Sequence, residues 1–271
     1  MTRFIVVPQW QGSPSARAML LVDGAEAIAG DLPRASSTRV DVPLEAGESL
    51  DTGVHRLSAL ARIQTLVAEA LTPVDEPFVV VGGDCAVAVP AVRHAAARHP
   101  RLAVVWLDAH GDLNDPESSF SGAYAGMALR AVLGDGELAV TAGTVPAERV
   151  VLAGARELDA AEAAFLETSG ITHVAAEAFA DPDVLADAVA ATGADAVYVH
   201  VDLDVLDPAA ITGVGSAVPF GIEVPQLVGA LTQLRRRVPL VGASLAGFAP
   251  ASPTAAVDDM GAILRVIGAL A

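Results

Sequence analysis

Short, almost unbroken apolar runs recur along the chain, each followed by a stretch with apolar residues at helical spacing. The runs at 4–7, 78–81, 103–107, 150–153, 196–201 and 240–243 are rich in valine, isoleucine and leucine and do not alternate with polar residues. That pattern predicts strands covered on both faces. The alanine-rich segments 54–71, 86–97, 160–167, 184–191, 224–236 and 254–270 predict amphipathic helices. Segment 38–42, where Thr38, Val40 and Val42 share a face, predicts a further short strand. Strands alternating with helices imply a mostly parallel sheet between two helix layers, a three-layer α/β/α fold. The 271 residues fit one such domain spanning 1–271. Glycine-, proline- and serine-rich stretches at 111–122 and 212–221 are too short for linkers and are expected to be loops of a site. In parallel sheets ligands gather beyond the carboxyl ends of the strands.

Charge and cysteine usage narrow the function. Sixteen basic against thirty-three acidic residues give a net charge of −17, which repels phosphate backbones and anionic lipid. Neither nucleic acid nor membrane is therefore expected as a partner. No apolar run approaches the roughly 18 residues of a membrane span. The start, MTRFIVVPQW, reads as a strand and not as a secretory signal, so a cytoplasmic location is expected. The one cysteine, Cys85, excludes an internal disulfide and a multi-cysteine zinc site.

Three strand ends carry unusual chemistry. They read Gly82-Gly83-Asp84-Cys85, then Asp108-Ala109-His110-Gly111-Asp112, then His200-Val201-Asp202-Leu203-Asp204, continuing to Asp207-Pro208. On a strand, residues i and i+2 project to one face, so Asp108 pairs with His110 and Asp202 with Asp204. Gly111 lets the chain curl and return Asp112 toward them. Four carboxylates and an imidazole at the ends of apolar strands need a compensating cation. Oxygen-rich ligation with one nitrogen suits Mn²⁺ better than Zn²⁺, with Fe²⁺ and Co²⁺ also admissible. His200, two before Asp202, faces the same side as a candidate proton carrier, a partner of a ligand or a core histidine. Trp10 and Gln11 are expected near the rim.

These motifs resemble those of the ureohydrolase (arginase/agmatinase) family, in the same order along most of the chain. The resemblance implies an arginase/deacetylase-like fold and one or two metal ions per chain. Asp108 and Asp202 would bridge two ions, His110 and Asp204 would complete one shell, and Asp112 and Cys85 the other. A small-molecule substrate would meet Asn114 and Ser121 near its carboxylate and Asp159 and Glu162 near its amino group. For Asp159 and Glu162, a plain role in the first turn of a helix competes with that one. Trimers or hexamers would be the expected homo-oligomers.

The chain also departs from the family pattern. Cys85 stands where the family has a histidine, and is either a soft ligand or a small buried side chain. Ala125, in Ser121-Gly122-Ala123-Tyr124-Ala125-Gly126-Met127, replaces a histidine read as a proton shuttle. Gly247, in Ala246-Gly247-Phe248-Ala249-Pro250, replaces a glutamate that pairs with the substrate guanidinium. The leading expectation is a metal-dependent hydrolase cleaving a C–N bond of a guanidino, N-hydroxyguanidino or amidine compound, similar to the N-hydroxyarginine amidinohydrolases. The alternatives are a one-metal amide hydrolase using Asp108, His110 and Asp204, and a catalytically degenerate metal-binding homologue.

Overall fold

The computed structural model describes residues 2–136, 138 and 144–271. The apolar runs form strands β1 (Arg3–Val7), β3 (Phe78–Gly82), β4 (Leu102–Leu107), β5 (Val150–Ala153), β7 (Ala196–Asp202) and β8 (Leu240–Ala246). Two short edge strands, β2 (Ser37–Arg39) and β6 (Thr172–Val174), complete a sheet of order β2-β1-β3-β8-β7-β4-β5-β6. Every pairing in it is parallel. Strands β3, β4 and β7 are buried at every residue, as unbroken apolar runs require when helices cover both faces.

Helices α2 (Leu57–Leu71), α3 (Ala88–Arg98) and α4 (Ala128–Val132) pack on one face, around Ile63, Val92 and the sheet residues Trp106 and Tyr198. Phe165 and Leu166 of α5 (Ala160–Ser169) lean on the same cluster. Helices α1 (Leu20–Asp31), α6 (Val184–Ala191), α7 (Val224–Arg237) and α8 (Pro253–Leu270) cover the other face, around Ile28, Leu185, Leu231 and Ile263. This is the three-layer arrangement that the alternation of strands and helices implies.

Three elements escape the sequence pattern. Helix α1 carries Gly24 and Gly30, poor helix formers, yet Gly24 lies so close to the Phe248 carbonyl that a Cβ would collide with it. Strand β6 has only Val174 buried, so its sequence shows no apolar run. Helix α4 has only five residues. The strand expected at 38–42 is displaced: β2 ends at Arg39, and Val40 is already in the core beyond it.

Sheet order decides where chemistry gathers. Strands β3, β8, β7 and β4 are consecutive neighbours. Their carboxyl ends therefore bring Cys85, Gly247, Asp202 and Asp108 to one edge.

Candidate metal centre

The two aspartate pairs converge, but not by strand alternation. Strand β4 stops at Leu107 and β7 at Asp202, so His110 and Asp204 lie in the turns beyond. The turn is built by the aspartates themselves. Asp108 Oδ1 accepts the His110 N–H at 2.8 Å, and Asp202 Oδ1 accepts the Asp204 N–H at 3.0 Å. The same bond recurs after β3, where Asp84 Oδ1 accepts the Ala86 N–H at 3.1 Å. Each is an aspartate turn in which the carboxylate takes a nearby backbone N–H.

In two of the three the second oxygen stays turned toward the site. Cys85 Sγ lies 2.9 Å from Asp202 Oδ2 and 3.8 Å from Asp108 Oδ2. Asp84 has no such capacity left. Its carboxylate also accepts from Gln9 Nε2 at 2.8 Å and from the Gly12 N–H at 2.9 Å, so it fastens the first loop to the end of β3.

Asp112 curls back at its own backbone, with φ +52° in the left-handed region. Gly111 serves a different need from the one expected of it. A Cβ there would press on Glu162 and Leu158. A non-glycine residue in the left-handed region costs energy and is held by its surroundings.

Ligand atoms of Asp108, His110 and Asp204 lie within 4.8 Å of one another. His110 Nδ1 is 3.3 Å from Asp108 Oδ1 and 3.1 Å from Asp204 Oδ2. Burial alone would lower the imidazole pKa, but these two carboxylates outweigh it and push it up to about 12. Asp108, His110 and Asp204 could together hold a cation, whose binding would displace that proton.

The remaining acids are strained by burial. Asp108, Asp112, Asp202 and Asp204 are all buried. Burial and the neighbouring Asp204 charge push Asp202 up to about 7, and burial with the Asp108 charge pushes Asp204 up to about 6. Asp112 is driven well above the carboxylate range by burial and the charge of Asp108. Its Oδ2 has no hydrogen-bond partner among the described residues. Burial and the surrounding carboxylates likewise raise the Cys85 thiol. An orphaned buried carboxylate oxygen among acids that all resist ionisation fits a divalent cation.

The cluster lies at the floor of a cavity of about 460 Å³, which is also lined by Asn114, Ser121 and Glu162. Among the described residues no lysine or arginine lines it. Asp159 does not line it. Instead Asp159 caps α5 reciprocally with Glu162 and accepts from Asn114 Nδ2 at 2.8 Å. Glu162 does both, closing the cap and facing the cavity. His200 does not line the cavity either. It is fully buried beneath it, its Nδ1 2.7 Å from Ser244 Oγ, and desolvation lowers its pKa to about 3. Trp10 and Gln11 lie off the wall, and Ser13, Pro14 and Ser15 form that rim instead.

The two departures behave differently. Ala125 lines the cavity and leaves open the space a longer side chain would occupy. Gly247 has φ +87°, and a Cβ on it would collide with the Asp202 carboxylate.

Arg156 is the residue that pattern reading passed over. Its guanidinium donates to the carbonyls of Gly154, Asp204 and Val218 at 3.0, 2.9 and 2.7 Å, with Pro219 also at 3.0 Å. It thereby pins the Asp204 turn and the 212–221 loop to the end of β5. Asp259 of α8 holds the other end of that loop, accepting from the Thr212 and Gly213 N–H groups at 3.0 and 2.7 Å. No motif signals either role, because both bind backbone and not a ligand.

The chain is similar to known proteins in sequence and in fold. A profile described as Arginase family matches residues 24–266. An arginase of Bacillus caldovelox is 34% identical over 199 residues, 67% of each chain. The N(omega)-hydroxy-L-arginine amidinohydrolase of Streptomyces lavendulae is 31% identical over 266 residues, 95% of this chain and 93% of that one. The crystal structure of Entamoeba histolytica arginase in complex with L-ornithine superposes with a TM-score of 0.86 at 21% identity, covering 100% of this chain and 99% of that one. With a family profile spanning most of its length, the chain belongs to the arginase family and is a hydrolase of that family.

Proposed function

We propose that the protein is a metal-dependent amidinohydrolase that prefers an N-hydroxyguanidino or similarly weakly basic compound to free L-arginine. The observation that carries this is the cavity wall: six acids, one imidazole, and no lysine or arginine among the described residues. Such a wall suits a cation at its floor and a cationic or hydrogen-bond-donating substrate above it.

Asp108, His110 and Asp204 would hold one ion, with Asp202 and Asp112 beside it, and Mn²⁺ suits so oxygen-rich a set. Bound there, a divalent cation ionises water at neutral pH and polarises the carbon under attack. The chain's own residues do the rest. Asn114 and Ser121 stand on the wall where the polar end of an amino-acid substrate would lie, and Glu162 offers a carboxylate there. The Asp108 and Asp202 turns tie each Oδ1 to a backbone N–H, Asp108 Oδ1 also meeting His110 Nδ1, and leave both Oδ2 atoms facing Cys85.

Ala125 supplies no proton to a leaving amine, and Gly247 no carboxylate to a guanidinium. A hydroxylated guanidine, less basic and with a better leaving group, depends less on both. The likeness to a relative named for N(omega)-hydroxy-L-arginine, along nearly the whole chain, supports this choice. The family resemblance also supports a homo-oligomer, a trimer or hexamer, which light scattering would show.

The test is a panel assay of Mn²⁺-loaded protein on L-arginine, N-hydroxy-L-arginine and an N-acetylated amine, following amine and acetate release. The hydroxylated compound should be turned over faster. Proton donation is worth about 10²–10⁴-fold, which sets the expected deficit on arginine. Arginine turned over as fast as its hydroxylated form would refute the preference. Acetate release alone would favour an amide hydrolase.

A further inference from the structure

Beneath the cluster lies a second set of donors. Ligand atoms of Cys85, Asp108 and His200 come within 4.8 Å of one another, and all three residues are buried. His200 is held as a ligand would be. Its ring lies against Trp106 at a centroid distance of 3.9 Å, tilted by 36°. Its Nδ1 meets Ser244 Oγ at 2.7 Å, on the neighbouring strand β8. With Ser244 Oγ as the acceptor, Nδ1 carries the proton and the Nε2 lone pair is free to bind a cation. Nε2 is fully buried and has no hydrogen-bond partner among the described residues. A buried imidazole nitrogen left unsatisfied needs an explanation, and an ion is one.

We infer that Cys85, Asp108 and His200, with Asp202 Oδ2 in reach of the thiol, form a second cation position beneath the first, in which His200 supplies the imidazole that position 85 lacks. The inference rests on the reading of the cavity floor as a metal centre, and it changes the chemistry of the deeper half. One sulfur, one nitrogen and one or two carboxylate oxygens form a tetrahedral, softer set, which favours Zn²⁺ or Co²⁺ over Mn²⁺. Zinc bonds of about 2.0–2.3 Å place tetrahedral donors roughly 3.6 Å apart. The present spacing of up to 4.8 Å therefore needs only a modest closing of side chains. The cysteine and the histidine thus act as a pair. They exchange a ligand on the loop after β3 for one arriving through the sheet from β7.

Cobalt and zinc serve as probes on the full-length protein. Co²⁺-loaded wild type should show a thiolate-to-cobalt charge-transfer band in the near ultraviolet. It should also retain one Zn²⁺ per chain after dialysis against excess Mn²⁺. Cys85→Ser and His200→Gln should each lose that zinc, and the band should vanish in the first and weaken in the second. Ser244→Ala, which removes only the partner of Nδ1, should weaken zinc by about 10–100-fold. Asp204→Asn should spare the zinc while losing the other ion. The wild-type spectrum needs no variant to fold. Metal bound without the band, or a band and zinc content untouched in folded His200→Gln, overturns this inference and leaves the Asp108–His110–Asp204 centre standing. No divalent metal bound under any condition overturns both.

Discussion

If the buried carboxylates await a cation, removing one charge should stabilise the metal-free protein and weaken the metal-loaded one. Asp202 is the position to test. Its folded pKa is pushed up to about 7, against 3.8 in the unfolded chain. The folded form therefore holds its proton more tightly than the unfolded chain does. Between those values unfolding releases a proton, so stability falls as pH rises from roughly 4 to 7 and is flat above. The shift of roughly three units, at about 1.4 kcal/mol each, is a penalty of about 4 kcal/mol at pH 8. Asn at 202 is neutral throughout and keeps an Oδ1 to accept the Asp204 N–H. It gives up only the Cys85 contact at Oδ2, a weak thiol bond.

Urea unfolding followed by circular dichroism, with a chelator present, should therefore show Asp202→Asn more stable than wild type at pH 8 by about 2–4 kcal/mol. At pH 4 the two should be nearly equal. Adding Mn²⁺ should reverse the order. A thousandfold excess of metal over its dissociation constant stabilises the wild type by about 4.1 kcal/mol, and the variant has lost a carboxylate at the site. An Asp202→Asn protein no more stable than wild type at pH 8 under chelation would refute the view of a centre strained by uncompensated charge.

Three further outcomes follow. Arg156→Met should lower stability by about 2–4 kcal/mol, measured by urea unfolding, because several carbonyls of the Asp204 turn and the 212–221 loop lose their donor. Metal affinity should fall with it, and full retention of both would show that the clamp is dispensable. Ala125→His should raise arginine turnover relative to the hydroxylated compound, whereas Gly247→Glu should unfold or misplace Asp202 and lower metal content; a Gly247→Glu protein with wild-type metal content would contradict the collision.

Much of the sheet was legible because parallel strands covered on both faces read as unbroken apolar runs. Strands β3, β4 and β7 are buried throughout and stand out for that reason. The edges were less legible: β2 was expected at 38–42 and lies at Ser37–Arg39, and β6, with one buried residue, was missed. The convergence of Asp108, His110, Asp202 and Asp204 was anticipated on strand periodicity, and it occurs through turns beyond the strands. Two-residue spacing gives the same juxtaposition either way, since a carboxylate that accepts the N–H two residues on folds its neighbour back over itself. Sequence spacing could not separate those causes. Nor could it find Arg156, whose partners are carbonyls supplied by three separate segments.

The departures from the family pattern are better understood together than column by column. Position 247 read in isolation suggests a lost carboxylate that one substitution would restore. Its backbone, at φ +87°, has left the region that a glutamate prefers, and the Asp202 carboxylate occupies the space where its Cβ would stand. The Gly247 N–H is bonded to the Gly83 carbonyl at 2.8 Å, which ties this conformation to the very loop that presents Cys85. Cys85 in turn touches Asp202, and His200 stands two residues before Asp202 on the same strand. A glycine and a cysteine that look unrelated in sequence therefore meet at one carboxylate, and the histidine lies near that same cysteine. On the proposed function, selectivity for the substrate's distal group is then expected from other residues that line the cavity, Ser13–Ser15 and Gly215 and Ser216. Changes at those positions, and not at 247, are where substrate preference should move without loss of metal.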